Sequence, residues 1–139
     1  MTKLSAKDLI QIEQLNARYA FAFDDLLPDA AAAWAATFAP DGRFTLRDAN
    51  GNVQVDEQGT KALEELHDKF PNRAITRHWY GNLLIESAQG GARMRCYFIS
   101  LNITTRGIVR TAIYEDQLVK VRRRWRFKLR TIRLDPGSS

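Results

Sequence analysis

The sequence predicts an α+β fold in which N-terminal helices pack in the concave face of a strongly twisted, mostly antiparallel sheet. In the first half, apolar residues recur every three or four positions, which is helical spacing. From Ile75 onward they alternate with a period of two, and short turn signals separate the long strands. Helices segregated from a meandering sheet make an α+β domain. A twisted sheet of this kind can wrap around a helix and leave a pocket open at one end.

The 139 residues are expected to form one domain, residues 1–139. A composition of 45% apolar, 27% charged and 10% aromatic residues excludes a disordered, collagen-like or coiled-coil chain. The single cysteine, Cys96, allows no internal disulfide. No apolar run approaches the roughly 20 residues of a membrane span, and the N-terminus lacks the apolar stretch of a secretory signal. We therefore expect a cytoplasmic protein with no membrane partner.

The first predicted helix spans about residues 5–25. Ser5 followed by Asp8 is a pattern typical of a capping box, in which each residue hydrogen bonds to the backbone of the other. The apolar stripe of this helix consists of Leu9, Ile12, Leu15, Tyr19 and Phe23.

Two further helices are predicted. An alanine-rich helix over residues 30–38 has Asp29 as its expected cap, and Pro40-Asp41-Gly42 ends it with turn chemistry. A third helix over residues 60–70 is closed by Pro71.

Strands account for the rest of the chain. A short strand over residues 43–46 turns at Asn50-Gly51, a typical hairpin signal, and returns through Val53 and Val55. Four long strands then follow over residues 75–87, 92–104, 108–121 and 125–134.

Basic residues are concentrated in one window. Eight of the 21 lysines and arginines lie between Lys120 and Arg133, where no acidic residue occurs, and the other 13 face 16 acidic residues. One interpretation is an anionic partner such as nucleic acid or a phosphorylated ligand. The other is a solvated sheet face or a subunit interface. We favour the latter because no aromatic ladder or nucleic-acid motif accompanies the charge, and we expect no nucleic-acid partner.

Three motifs carry a family resemblance. They resemble the SnoaL-like family of the nuclear-transport-factor-like, cone-shaped α+β superfamily, whose members include ketosteroid isomerase and scytalone dehydratase. The motifs are Leu15-x-x-x-Tyr19-Ala20-x-Ala22-x-Asp24, Trp34-Ala35-x-x-Phe38-Ala39-Pro40-Asp41-Gly42-x-Phe44 and Arg77-His78-x-x-Gly81-Asn82.

The pair Asp24 and His78 looks like the Asp–His dyad of the branch that contains scytalone dehydratase, bile acid dehydratase and hexachlorocyclohexane dehydrochlorinase. The resemblance covers nearly the whole chain. It implies a cofactor-independent lyase of the dehydratase type, or an isomerase, that forms a homodimer or homotrimer through its sheet. The chain departs from several of these dehydratases in having no second histidine on its later strands.

The residues themselves allow this chemistry. Asp24 lies five residues after Tyr19, about 140° around the helix, so we expect it at the pocket-side end. His78 shares a strand face with Tyr80 and Asn82, which either lines a wet cavity or faces solvent. A neutral imidazole held by a carboxylate is a competent general base near neutral pH, and Tyr19 or Tyr80 could donate to a developing oxyanion. On the residues alone, a capping role for Asp24 and a structural role for His78 stay open.

The last predicted strand carries charge on both faces. Alternation places Trp125 and Arg133 on the apolar face of this strand and Arg130 on the opposite face. A charge on the apolar face needs a partner. One interpretation is that Arg133 binds a carboxylate or carbonyl oxygen of the substrate. On the other it pairs with an acid such as Asp24 or Asp116.

The sequence analysis therefore predicts two groups of site residues. The predicted catalytic residues are Asp24, His78 and Tyr19. The predicted substrate-binding residues are Trp34, Phe38, Tyr80, Asn82, Asn102, Tyr114 and Arg133.

The expected substrate is a small, apolar, cyclic compound with a hydroxyl or carbonyl group. No zinc-ligand spacing, P-loop, dinucleotide fingerprint or serine-nucleophile elbow occurs, so we expect no cofactor and no metal. Two alternatives remain: a non-catalytic small subunit of an assembly like the ring-hydroxylating dioxygenases, or a binding protein without turnover. A closed pocket containing both Asp24 and His78 would distinguish the enzyme from the subunit.

Overall fold

Three helices and six strands follow one another along the computed structural model, which describes residues 3–138. A single 3-10 turn, Arg73–Ile75, precedes the third strand. In chain order the elements are α1 (Ala6–Phe23), α2 (Ala30–Ala35), β1 (Phe38–Arg47), β2 (Val53–Gln58), α3 (Thr60–Lys69), β3 (Thr76–Ala88), β4 (Gly91–Asn102), β5 (Ile108–Val121) and β6 (Arg124–Leu134).

The strands form one sheet in the order β2-β1-β6-β5-β4-β3. All neighbours are antiparallel except β1 and β6, which are parallel. The helices pack against one face of this sheet, which we call the inner face. The predicted α+β class and its mostly antiparallel sheet are confirmed.

The start of α1 is secured by its predicted capping box. The Ser5 hydroxyl accepts from the Asp8 backbone N–H at 3.0 Å, and the Asp8 carboxylate accepts from the Ser5 N–H at 2.9 Å. The Trp125 indole also donates to Asp8 at 3.0 Å, which ties the helix start to β6. These hydrogen bonds, the one from the Ser5 backbone foremost, hold the pKa of Asp8 well below its ordinary value.

The region after α1 differs from the sequence prediction. Asp29 does not cap α2: its backbone is left-handed (φ 50°) and its side chain makes no capping hydrogen bond. The helix ends at Ala35, and Phe38 already pairs with Phe127 of β6. Pro40-Asp41-Gly42 does not end the helical region but bulges out of β1, because pairing with β6 holds the chain extended on both sides of it.

Two further bulges change which side chains face the core. In β6, Phe127 pairs with Leu118 and Leu129 pairs with Gln117, so Lys128 is an extra residue. Beyond it the burial pattern shifts by one position. Since side chains alternate along a strand, one inserted residue moves every later side chain to the other face.

The bulge in β3 lies between Gly81 and Leu84. Asn82 adopts a left-handed backbone there (φ 57°) and is exposed. Leu83 and Ile85 pack against the core instead. The prediction that Asn82 shares the face of His78 is therefore wrong.

The core fills the space between the helices and the inner face. The α1 stripe is buried from Ile12 to Phe23, whereas Leu9 is partly exposed. Trp34 of α2, Phe44 of β1 and Phe98 of β4 meet it. No helix among residues 3–138 combines the length and the apolar character needed to cross a membrane.

Gly42 is expected to tolerate no side chain. A Cβ at this position would lie 2.7 Å from the Phe38 Cβ and 2.9 Å from the Phe127 carbonyl oxygen, so the β1–β6 pairing would have to move. We expect Gly42→Ala to lower the free energy of unfolding by about 1–3 kcal/mol in urea denaturation. Gly81→Ala is the matched control, because a Cβ there meets nothing within 4 Å. Equal effects of the two substitutions would contradict this account.

Candidate active site

A cavity of about 310 Å³ lies between the C-terminal half of α1 and the inner face of the sheet. Its wall is mostly aromatic and aliphatic and includes Phe23, Phe98 and Ile132. The exposed residues Asn72 and Val109 belong to the same wall and mark its opening, which we call the mouth.

The end of α1 places Asp24 against β3. Asp25 follows it with a left-handed backbone (φ 58°), and the N–H groups of Asp25 and Leu26 bond to the carbonyls of Ala22 and Phe21. This is a Schellman motif, which closes a helix through one left-handed residue that Asp can supply. The helix therefore ends at a defined point, with Asp24 buried beside the sheet.

Asp24 holds His78 at two points. One carboxylate oxygen contacts the ring Nδ1 of His78 at 2.6 Å, and the other accepts from the His78 backbone N–H at 3.0 Å. When the imidazole is neutral and donates Nδ1–H to the carboxylate, Nε2 carries a lone pair. Nε2 makes no hydrogen bond within residues 3–138. A neutral imidazole held in this way can accept a proton at Nε2.

The His78 ring forms part of the cavity wall and is largely enclosed, with 9% of its side chain exposed. The ring centroids of Phe23 and Phe98 lie 4.2 Å and 5.1 Å from it. The imidazole therefore lies against an apolar surface that largely excludes water, where electrostatic interactions are strengthened.

Three tyrosines lie on the buried side of the cavity. Tyr19 and Tyr114 line the cavity, and the Tyr80 hydroxyl donates to that of Tyr114 at 3.2 Å from behind the wall. The Tyr19 hydroxyl is fully enclosed and has no partner within the described residues. Burial raises the pKa of Tyr19 to about 12 and the pKa values of Tyr80 and Tyr114 well above 10. All three are therefore neutral O–H donors at physiological pH.

A buried cation lies beneath these tyrosines. Arg130 has no exposed surface and bonds to Asp116 through Nε and Nη2, both at 2.9 Å, and to Asn16 at 2.7 Å. Its guanidinium carbon lies 4.3 Å from the Tyr19 ring centroid and 4.6 Å from that of Tyr114. Burial opposes the charge, but the Asp116 carboxylate outweighs it and raises the pKa of Arg130 well above its ordinary value.

The bulge at Lys128 explains why alternation misplaced the arginines of β6. Arg130 was expected opposite Trp125 and lies in the core, whereas Arg133 was expected on the apolar face and is exposed. Arg133 donates to the Ala49 carbonyl at 3.3 Å on the surface. Its predicted place in the pocket is wrong, and neither Asp24 nor Asp116 is its partner.

The other predicted binding residues divide into two groups. Asn102 and Tyr114 line the cavity. Trp34, Phe38 and Tyr80 are packed behind its wall in the aromatic core, so the expectation that they contact a ligand is corrected. The sequence pattern of aromatic residues is the same whether they line a pocket or fill the core, so it could not separate the two groups.

Sequence reasoning missed five polar residues of the cavity, which are Asn72, Arg73, Thr76, Ser100 and Arg110. Ser100 and Arg110 lie on inner faces that alternation could have found, since Ser100 shares a face with Phe98 and Arg110 shares one with Tyr114. Arg73 reaches the wall from the turn before β3 and pairs with Asp25 at 3.2 Å.

Two reactive residue types lie outside this site. His67 is buried, and its Nε2 lies 3.1 Å from the Ala22 carbonyl, so it supports the end of α1. Burial raises the pKa of the Cys96 thiol to about 12, which suits inert packing. Across residues 3–138, no three His, Cys, Asp or Glu side chains are grouped as metal ligands would be.

The chain thus combines an α+β fold, a cavity open at the mouth and a carboxylate–imidazole pair beside that cavity. The model of the SnoaL-like domain matches residues 5–131, and the chain belongs to this family. Among curated proteins, none matches the chain significantly.

Solved structures agree on the fold. A protein of unknown function with a cystatin-like fold from Nostoc punctiforme has a TM-score of 0.80 and 27% identity, with 99% of this chain and 98% of that chain covered. A Mycobacterium tuberculosis protein of unknown function has a TM-score of 0.77 and 26% identity over 93% and 72% of the two chains. A proposed scytalone dehydratase from Novosphingobium aromaticivorans has a TM-score of 0.70 and 22% identity over 92% and 84%.

The buried Arg130–Asp116 pair yields a stability prediction. Arg130→Met leaves the Asp116 carboxylate unpaired in the core, and we expect it to lower the free energy of unfolding by about 3–5 kcal/mol in urea titrations. The double variant Arg130→Met/Asp116→Leu should recover most of this loss.

The control is the exposed pair of Arg43 and Asp56, 2.6 Å apart. Arg43→Met should change stability little, because water screens this pair. If Arg130→Met were no more harmful than Arg43→Met, the importance assigned to the buried pair would be wrong.

Proposed function

We propose that this protein is a cofactor-independent lyase of the dehydratase type, or an isomerase, whose Asp24–His78 dyad abstracts a proton from a small cyclic substrate. The observation that carries the proposal is the 2.6 Å contact between the Asp24 carboxylate and His78 Nδ1 at the wall of an apolar cavity. Membership of the SnoaL-like family supports this class of chemistry.

In the proposed reaction, His78 Nε2 takes a proton from a carbon next to a carbonyl group. Asp24 holds the ring in place and stabilises the imidazolium that forms. The electron pair from the broken C–H bond moves onto the carbonyl oxygen, which becomes an enolate. The hydroxyls of Tyr19 and Tyr114 are the proposed donors to this oxygen from the cavity floor.

The proton then has two destinations. In a dehydratase, the imidazolium returns it to a hydroxyl on the neighbouring carbon, which leaves as water while a C=C bond forms. In an isomerase, it is returned to a different carbon and nothing leaves. Either route restores neutral His78.

The size and lining of the cavity suit a substrate of one or two rings. A dry cavity of about 150 Å³ lined by apolar side chains binds benzene. The cavity here is about 310 Å³, and its wall is mostly aromatic and aliphatic. This supports an aromatic or alicyclic compound with a carbonyl group near the dyad.

The alternative of a non-catalytic subunit is less well supported. A subunit that served only as an assembly surface would have no need for a histidine that is held by a carboxylate and faces a cavity. A binding protein without turnover has the same cavity, and only a reaction distinguishes it from the enzyme.

The test is proton exchange on a neutral fused-ring ketone. Incubating the protein with 2-tetralone in D₂O and following loss of the α-proton signals by NMR measures proton abstraction directly. We expect Asp24→Asn and His78→Gln each to lower the enzyme-dependent rate by about 10²-fold or more, because a positioned base contributes about 10²–10⁴-fold.

Asp29→Asn is the matched control, since Asp29 is exposed and left-handed, a conformation that Asn also tolerates. Circular dichroism should show that all variants are folded. Exchange at the wild-type rate in folded Asp24→Asn would falsify the dyad.

We also propose that copies of the chain associate through the outer face of the sheet, as the family resemblance implies. Trp79 and Tyr97 are 62% and 58% exposed there, and Ile99 and Ile113 lie beside them on neighbouring strands. An exposed apolar patch of this kind is typical of an interaction surface.

Light scattering after size exclusion tests the association. The wild type should elute as a dimer or trimer, and Tyr97→Glu should shift it towards monomer, because a carboxylate in an apolar interface is costly. Ile10→Glu, at a 59% exposed position on α1, is the control and should leave the mass unchanged. A monomeric wild type would exclude self-association.

A further inference from the structure

Three polar side chains form a row across the inner face of the sheet. His78 of β3 pairs with Ser100 of β4, and Ser100 pairs with Arg110 of β5. All three line the cavity. Because neighbouring strands lie about 4.8 Å apart, Arg110 is about 10 Å from His78 along this row, measured between backbones.

Ser100 and Arg110 have unused hydrogen-bonding capacity. The Ser100 hydroxyl is buried and makes no hydrogen bond within the part of the chain that the structure describes. Arg110 has neither an ion pair nor a side-chain hydrogen bond with any of residues 3–138. A buried polar group without a partner is costly unless a ligand satisfies it.

The charge of the wall is one-sided. Two arginines, Arg73 and Arg110, line the cavity, and no Asp or Glu among the described residues does. Arg73 is already neutralised by Asp25 and donates to the carbonyls of Phe70 and His67. Arg110 is therefore the cation left to meet a ligand.

A third donor lies next to this row. The Asn102 side-chain oxygen accepts from the backbone N–H groups of Thr104 and Thr105, at 2.9 Å and 3.1 Å. This fixes the orientation of the amide, so that its NH₂ group is the free end at the cavity wall. Arg110 and Asn102 thus present N–H donors on the β4–β5 side of the cavity, and the Ser100 hydroxyl can donate as well.

We propose that Arg110 and Ser100 form a carboxylate subsite, so that the substrate of this protein is a cyclic compound bearing a carboxylate. The inference rests on the proposed function, which it deepens by naming the substrate class. The planar guanidinium of Arg110 pairs with the carboxylate, and the Ser100 hydroxyl donates to it. The ring then extends along the row towards His78 Nε2, which reaches a carbon several bonds from the carboxylate.

The subsite also accounts for specificity. Within an apolar cavity, an Arg–carboxylate pair orients a flat ring much more strictly than shape alone. A neutral analogue of the same shape forms no ion pair with Arg110, so it enters the cavity but binds more weakly.

The experiment compares 2-naphthoate with its neutral isostere 2-naphthamide by calorimetric titration. We expect the wild type to bind naphthoate at least about tenfold more tightly than naphthamide, because charge-assisted hydrogen bonds are the stronger class. The preference should shrink at high salt. Arg110→Gln should abolish the preference, and Ser100→Ala should weaken naphthoate binding more than naphthamide binding.

Arg95→Gln is the matched control. Arg95 is exposed on β4, and its substitution removes the same charge from the other face of the sheet. It should keep the preference. The proposal is overturned if the wild type fails to bind naphthoate, if it binds both probes equally, or if folded Arg110→Gln still prefers the carboxylate. Should Arg110→Gln not fold, the wild-type comparison and Ser100→Ala decide in the same way.

Failure of the carboxylate subsite and failure of the proposed function are distinguishable, because the two experiments use different probes. Naphthoate binding reports on Arg110, whereas exchange on neutral 2-tetralone reports on the Asp24–His78 dyad. Exchange without a carboxylate preference would remove the subsite alone. A carboxylate preference without exchange at saturating 2-tetralone would leave a carboxylate-binding protein and remove the enzyme.

Discussion

The candidate site depends on one carboxylate at the junction between a helix and a strand. Asp24 ends α1, and His78 lies on β3, the last strand of the sheet order. Asp24 accepts hydrogen bonds from both the backbone and the ring of His78. It therefore ties this edge strand to the helix and also sets the orientation of the ring. Each carboxylate oxygen has a donor, which is the condition under which a buried carboxylate is tolerated. Helix end, strand position and imidazole geometry are therefore coupled.

Electrostatic balance divides the interior into two parts. In the core, Arg130 and Asp116 neutralise each other beneath three tyrosines that burial keeps protonated. Towards the mouth, Arg110 has no such counterion among the described residues. The deep pair lies beneath a floor of hydroxyl donors, and Arg110 is the cation of the proposed carboxylate subsite. In the proposed function, one end of the cavity holds the ligand and the other stabilises the charge that develops on it.

Much of the fold follows from local patterns. The capping box of Ser5 and Asp8, the Asn50-Gly51 hairpin and the period-two alternation of β4 and β5 each depend on near neighbours in the chain, and each was predicted. The errors lie where distant pairing overrides a local signal. Pro40-Asp41-Gly42 has the composition of a turn, yet β6 pairs on both sides of it and makes it a bulge within β1.

The sequence by itself determined the fold class, the order of the elements and, through family resemblance, the pairing of Asp24 with His78. Only the tertiary structure decided which charged and polar residues face the cavity. Extra residues in β3 and β6 reverse the alternation beyond them, and so Asn82 and Arg133 face outward while Arg130 is buried. The physical reason is that alternation is a local rule with a period of two, whereas a bulge is set by the register with a neighbouring strand that is remote in sequence.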